Sequence, residues 1–198
     1  MANANTPAGL VPVEYIGGSP WNGKCRRYHI PSTDGNAYAI GDPVTLLGTA
    51  DANGVPSVVL ATAGSGLLGP VMGAGGLTYG GMSADPTNLN TTVIPATKTK
   101  DYYVLIADDP NILFEIQEIG TGTPLAATEV GLNANLVAGT NSGYMSGWLL
   151  NNVGEAVTAT LDVKLMGLRQ VPGNAFGAYA KWLVLINNHK YRAGVAGL

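Results

Sequence analysis

Charge is what this sequence has least of. Asp, Glu, Lys and Arg make up only 12% of its 198 residues, about half the usual share, and the net charge is −3. That balance offers no broad basic field, so nucleic acid is not expected as a partner. The single cysteine, Cys25, excludes an intrachain disulfide framework and a cysteine-based zinc site. His29 and His189 are the only histidines. Without a Gly-x-Ser-x-Gly elbow or a His-Glu-x-x-His pair beside them, each reads as a satisfied strand or edge residue. No catalytic residue, metal or cofactor is expected. No apolar run reaches the roughly 18 residues a spanning helix needs, so no membrane is expected either. The opening "MANANTPAGLVPV" lacks the basic and apolar regions of a secretory signal, which fits synthesis in a cytoplasm.

What the chain does hold is 46% apolar residues, 28 Gly and 12 Pro. Short strands need many turns, and turns consume glycine and proline, so this balance predicts β structure. From "CRRYHIP" onward, β-type runs alternate with turn clusters such as "STDGN" and "TADANG". The fold expected is mainly β: a single β-sandwich or barrel-like domain over 21–198, a jelly roll being one form of it, with little helix. The clearest alternation spans 157–165, and 181–186 is apolar on both faces apart from Lys181. The best helical window, "LAATEVGLNANL" over 125–136, is weakened by Gly131 and two Asn. Residues 1–20 carry one charge and are punctuated by Pro7, Pro12, Gly17, Gly18 and Pro20, which predicts an extended N-terminal arm. So little charge also predicts a surface covered by other protein.

Three stretches invite chemistry. "GSGLLG" at 64–69 matches a dinucleotide fingerprint, but Pro70 and the following glycines break the helix that would carry a pyrophosphate, leaving a Gly-rich β connection. "KCRRYH" at 24–29 is the one basic cluster. Adjacent strand residues face opposite ways, so pairing of an arginine with a partner's carboxylates is the better reading than phosphate binding. "YYVLIADDPNILFEIQE" at 102–118 holds Asp108, Asp109, Glu115 and Glu118. Asp, Pro and Asn in "ADDPN" are turn formers, which predicts a β-hairpin with strands near 102–107 and 112–118. The sequon at Asn90 reads as a polar loop.

The segments "NANTPAGLVPV", "YHIPSTD", "IGDPVTLLG", "VLIADDPNILFEIQE", "VGLNANL" and "AKWLVLINNH", in that order, span nearly the whole chain. They resemble the capsid decoration, or cement, proteins of tailed bacteriophages. The resemblance implies a non-enzymatic, β-rich virion protein on the capsid surface, made in the host bacterial cytoplasm. Its partners would be the major capsid protein and other copies of itself, as a dimer or trimer. The expected contact residues are Leu10, Val11, Val13, Tyr15, Ile16, Trp21, Arg26 and Arg27. Three alternatives stand beside this reading. One is another virion building block, such as a tail-tube or head-completion protein. Another is a carboxylate-dependent hydrolase using Asp108, Asp109 and Glu115. The last is glycan adhesion through Tyr79, Tyr144 and Trp148.

Overall fold

The computed structural model describes residues 3–75 and 93–192. The Gly-rich run past Gly75 with Tyr79, and the sequon at Asn90, lie outside them.

The described residues form twelve strands: β1 Val11–Tyr15, β2 Arg26–Ile30, β3 Pro43–Ala50, β4 Pro56–Leu60, β5 Gly69–Gly75, β6 Tyr102–Ile106, β7 Ile112–Gln117, β8 Asn133–Ala134, β9 Leu136–Val137, β10 Leu149–Leu150, β11 Val163–Leu168 and β12 Lys181–Ile186. The fold is mainly β, as the composition predicted. Where the weak helical window lay, there is only a 3-10 turn, Ala127–Glu129, followed by β8. Gly69 opens β5, so the residues Gly69–Gly75 form a strand and not the helix a pyrophosphate site needs.

Two cores organise the strands. β2, β4, β3, β5 and β6 close into a barrel in that order, the parallel β2–β4 contact at His29 and Ser57 completing the ring. Alternation turns Tyr28, Ile30, Val44, Val58, Val71, Val104 and Ile106 inward, where Tyr38, Leu68 and Ile94 complete a dry interior. The second unit is a five-stranded sheet ordered β1-β7-β12-β11-β8. Its inner face presents Ile112, Phe114 and Ile116 from β7, Val163 and Leu165 from β11, and Trp182, Val184 and Ile186 from β12. Leu125, Trp148 and the small β9–β10 ribbon, through Leu136 and Leu150, roof this face. Each fully buried aliphatic side chain contributes about 1.5–3 kcal/mol.

Three expectations need correction. β6 and β7 lie where the hairpin strands were expected, yet they do not pair. β6 is bonded on both edges by β2 and β5, and β7 by β1 and β12, so neither has a free edge for the other. "ADDPN" is therefore the crossing from barrel to sheet. The alternating run at 157–165 becomes a strand only at Val163. The preceding residues turn because Asp162 points inward to accept the N–H groups of Gly64 (2.8 Å) and Leu136 (3.0 Å). The Asn187 amide meanwhile holds the carbonyls of Ala159 and Leu161.

The third concerns the first residues of the chain, which fold back on their own domain instead of reaching away. β1 pairs antiparallel with β7, Val11 opposite Glu115 and Tyr15 opposite Ile112, and forms an edge of the sheet. Ahead of it, Asn3 bonds the carbonyls of Ala175 and Ala178, and the Thr6 N–H donates to Gln117 Oε1. Leu10 is fully buried in the sheet core. It gets there because Gly9, at φ +65°, crosses the backbone at Gly41 so closely that a Cβ would sit 2.2 Å from the Gly41 oxygen. Gly9→Ala is expected to cost about 2 kcal/mol or more through both strain and clash, measured as a lowered urea midpoint with an unchanged slope.

Candidate functional site at the barrel–sheet junction

"KCRRYH" and "ADDPN" are remote in sequence and meet in space. β2 runs antiparallel to β6 with Arg26 opposite Ile106, which sets the start of β2 beside the crossing that follows β6. Tyr28 points into the barrel, and its hydroxyl donates to Asp108 Oδ2 at 2.6 Å. Its only proton is thereby committed, so the Tyr191 hydroxyl, 3.0 Å away, is the donor in the second bond of the chain. Arg26 Nε lies 3.5 Å from the same Asp108 oxygen, with the arginine exposed and the carboxylate buried. On the far side of the crossing, the Arg192 guanidinium donates to the Pro110 carbonyl at 2.9 Å. Lys24, Arg26, Asp108, Asp109, Pro110 and Tyr191 line a cleft of about 290 Å³ between these parts.

The electrostatics follow from burial. The Tyr28 phenol is held well above its usual range, first by desolvation and then by its bond to Asp108. Burial, with the Asp108 charge adding to it, also raises the Cys25 thiol. His189 is fully buried and accepts the Tyr191 N–H at Nδ1. Desolvation, helped by the Arg192 charge, lowers its pKa to about 4. The junction thus combines a neutral imidazole, a protonated phenol and a bonded carboxylate, with two cations at the cleft. Such a rim can receive a carboxylate from another molecule, while Asp108 itself is occupied in holding the chain.

The other carboxylates of 102–118 go elsewhere. Asp109 accepts the Asn111 N–H within the turn. Glu115 lies on the outer face of the sheet between Arg169 (3.3 Å) and Lys181 (2.9 Å). Glu118 is fully buried under the N–H of Leu125, the Asn152 amide and the Trp182 indole, and burial raises its pKa. The facing pair that a carboxylate-dependent hydrolase requires is not formed by these groups.

The structure does assemble one serine, histidine and aspartate. On the outside of the barrel, His29 Nδ1 is 2.8 Å from Ser57 Oγ, and His29 Nε2 is 3.3 Å from Asp101 Oδ2. Ser57 is only 1% exposed, at the wall of a cleft of about 400 Å³ that Leu46, Pro56 and Tyr191 also line. The cluster serves to stitch β2 to β4 and to the residue preceding β6. Among the described residues, no three His, Cys, Asp or Glu side chains are grouped to hold a metal ion.

The eight expected contact residues are dispersed. Leu10 is in the core; Tyr15 and Trp21 pack against it, and the Trp21 N–H bonds the Val13 carbonyl. Val11 and Val13 lie half-buried on the edge strand, and Ile16 is exposed. Arg26 reaches the cleft, whereas the Arg27 guanidinium sits 5.5 Å from the Tyr103 ring centre. Of the aromatics considered for glycan adhesion, Tyr144 is exposed but Trp148 belongs to the sheet core. Tyr191 and Asp108 were missed as partners of Tyr28. The one signal for Asp108 was a turn aspartate flanked by long apolar runs.

No family model matches this chain, and neither a curated protein nor a solved structure matches it.

His189 yields a pH prediction. Its folded pKa of about 4 lies below the ordinary 6.5, so the unfolded chain binds the extra proton first. Its stability contribution is complete above the ordinary value and is lost as pH falls through the folded one. Buried Asp42, Glu118 and Asp162, whose pKa values are raised, act in the opposite sense. Comparison with His189→Gln isolates the imidazole: the wild type should lose about 3 kcal/mol relative to the variant between neutral pH and the folded pKa. Urea titrations at both pH values measure this.

Proposed function

We propose that this chain is a structural protein of a tailed-bacteriophage virion, a decoration protein bound to the outside of the shell built by the major capsid protein. The ordered sequence segments that resemble that family point to the virion. The observation that carries the reading is where the apolar surface lies. Val153 and Val157 are 66% and 85% exposed, on the loop that pairs with β8 through the bridge between Asn133 and Ala156. Val130 and Met166 are also exposed nearby, since the Gly131 N–H bonds the Leu165 carbonyl. Four large apolar side chains thus collect at one edge of the sheet in a protein with little charge to offset them, which is the surface expected of a protein that lives in an assembly.

Such a protein works by linkage. Binding that occurs on the assembled shell and not on free subunits stabilises the shell by mass action, and repetition over the lattice multiplies the effect. Copies related by a local symmetry axis would add contacts as dimers or trimers. With Leu10 used internally, this reading keeps Ile16 and Arg26 of the eight expected contact residues and adds the exposed edge of Val130, Val153, Val157 and Met166.

The test is occupancy. Val153→Asp combined with Val157→Asp should lower the amount bound to particles of the encoding phage at least about tenfold, since two buried apolar contacts are worth that or more, while urea stability stays unchanged. Undiminished occupancy would contradict the reading. A count of only one ring of copies per particle would point instead to a connector.

A further inference from the structure

Away from the junction, the N-terminal strap and the segment Val171–Tyr179 enclose a second cleft of about 210 Å³, lined by Asn3, Ala4, Thr6, Val171, Pro172, Gly173, Asn174, Tyr179 and Lys181. Tyr179 stands out within it. Among the described residues it is the only non-glycine with positive φ, at +62°. For an aromatic side chain that conformation costs of order 1–3 kcal/mol and persists only where the surroundings enforce it. The surroundings here are specific. The ring lies against Gly120 so closely that a Cβ at that position would fall 2.0 Å from its Cε1 and Cζ. The glycine is therefore a seat for the phenol end of the ring, and Tyr179 also lines the cleft.

The polar wall is equally fixed. The Asn3 amide donates to the carbonyls of Ala175 and Ala178 and accepts the Ala175 N–H. The Asn174 amide donates to the carbonyls of Arg169 and Lys181 and accepts the Lys181 N–H. Each carboxamide is immobilised and keeps one lone pair on its oxygen. The Lys181 ammonium uses one donor on Glu115 and has two left. Thr6, whose hydroxyl is both donor and acceptor, lines the same cleft.

We propose that this cleft binds one pyranose ring of a saccharide. A pyranose has an apolar C–H face that packs on an aromatic ring and an equatorial rim of hydroxyls, each both donor and acceptor. The Tyr179 ring, with the held Asn3 and Asn174 amides, the Thr6 hydroxyl and the Lys181 side chain lining the same cleft, offers both kinds of contact, and pre-organisation lowers the ordering cost of a weak ligand. The site stands independently of the virion reading and of Tyr144.

Ligand-observed NMR on the whole protein with methyl glucoside, methyl galactoside, methyl mannoside and N-acetylglucosamine tests it. At least one probe should bind in the millimolar range. Tyr179→Gly removes the ring while keeping a residue that tolerates the backbone conformation, and should weaken that probe about tenfold or more. Thr6→Val removes a hydroxyl that makes no hydrogen bond among the described residues, should weaken it severalfold, and serves if the glycine variant does not fold. No binding by any probe, or wild-type affinity in the folded variants, would overturn the proposal.

Discussion

One carboxylate sits where the two halves of the molecule are joined by the chain. β6 and β7 are consecutive in the chain, yet one closes the barrel and the other lies inside the sheet, with only Ala107–Asn111 between them. Asp108 sits in that crossing and takes the Tyr28 proton from inside the barrel. Tyr191, from the segment that follows the last sheet strand, joins the same chain of hydroxyls. A buried acceptor left without its donor costs about 1–3 kcal/mol. The crossing is therefore held by a polar contact, which adds to the packing of Ala61, Leu67 and Ala107 in the sheet core and to the bonds of Gly64 with Asp162 and of Leu67 with Asn188 and Lys190.

The same device recurs wherever loops cross. Asp42 accepts the Ala39 N–H, Asp162 those of Gly64 and Leu136, and Glu118 that of Leu125 together with two side-chain donors. All three are buried, and desolvation raises the pKa of each. A chain with few acidic residues thus spends several inside as fasteners, where donors they satisfy would otherwise be orphaned. Less charge remains for the surface, and the apolar edge around Val157 follows from that allocation. It is also the feature on which the proposed place in a virion rests.

Strand positions were legible in the sequence because alternation and apolar runs report which faces are buried. Partners were not, because backbone edges look alike in every strand. Thus 102–106 and 112–117 were located within a residue or two while their pairing was misread. The start of the alternating run at 157–165 was misread for a related reason: an inward carboxylate such as Asp162 looks the same in an alternation as an outward one. Proline and glycine rightly excluded a helix from the first twenty residues, but an edge strand satisfies the same constraint as a free arm. At the junction, the opposite facing of Arg26 and Arg27 was readable from strand geometry. The meeting of Tyr28 with Asp108, 80 residues apart, was not, since nothing local to either residue signals the other.

A double-mutant cycle of Tyr28→Phe and Asp108→Asn on unfolding free energy bears most directly on whether that tie holds the fold. If it does, each single change destabilises the protein and the pair is non-additive by about 1–3 kcal/mol. Additive effects, or a near-neutral Asp108→Asn, would mean that this tie contributes nothing beyond the other contacts between barrel and sheet.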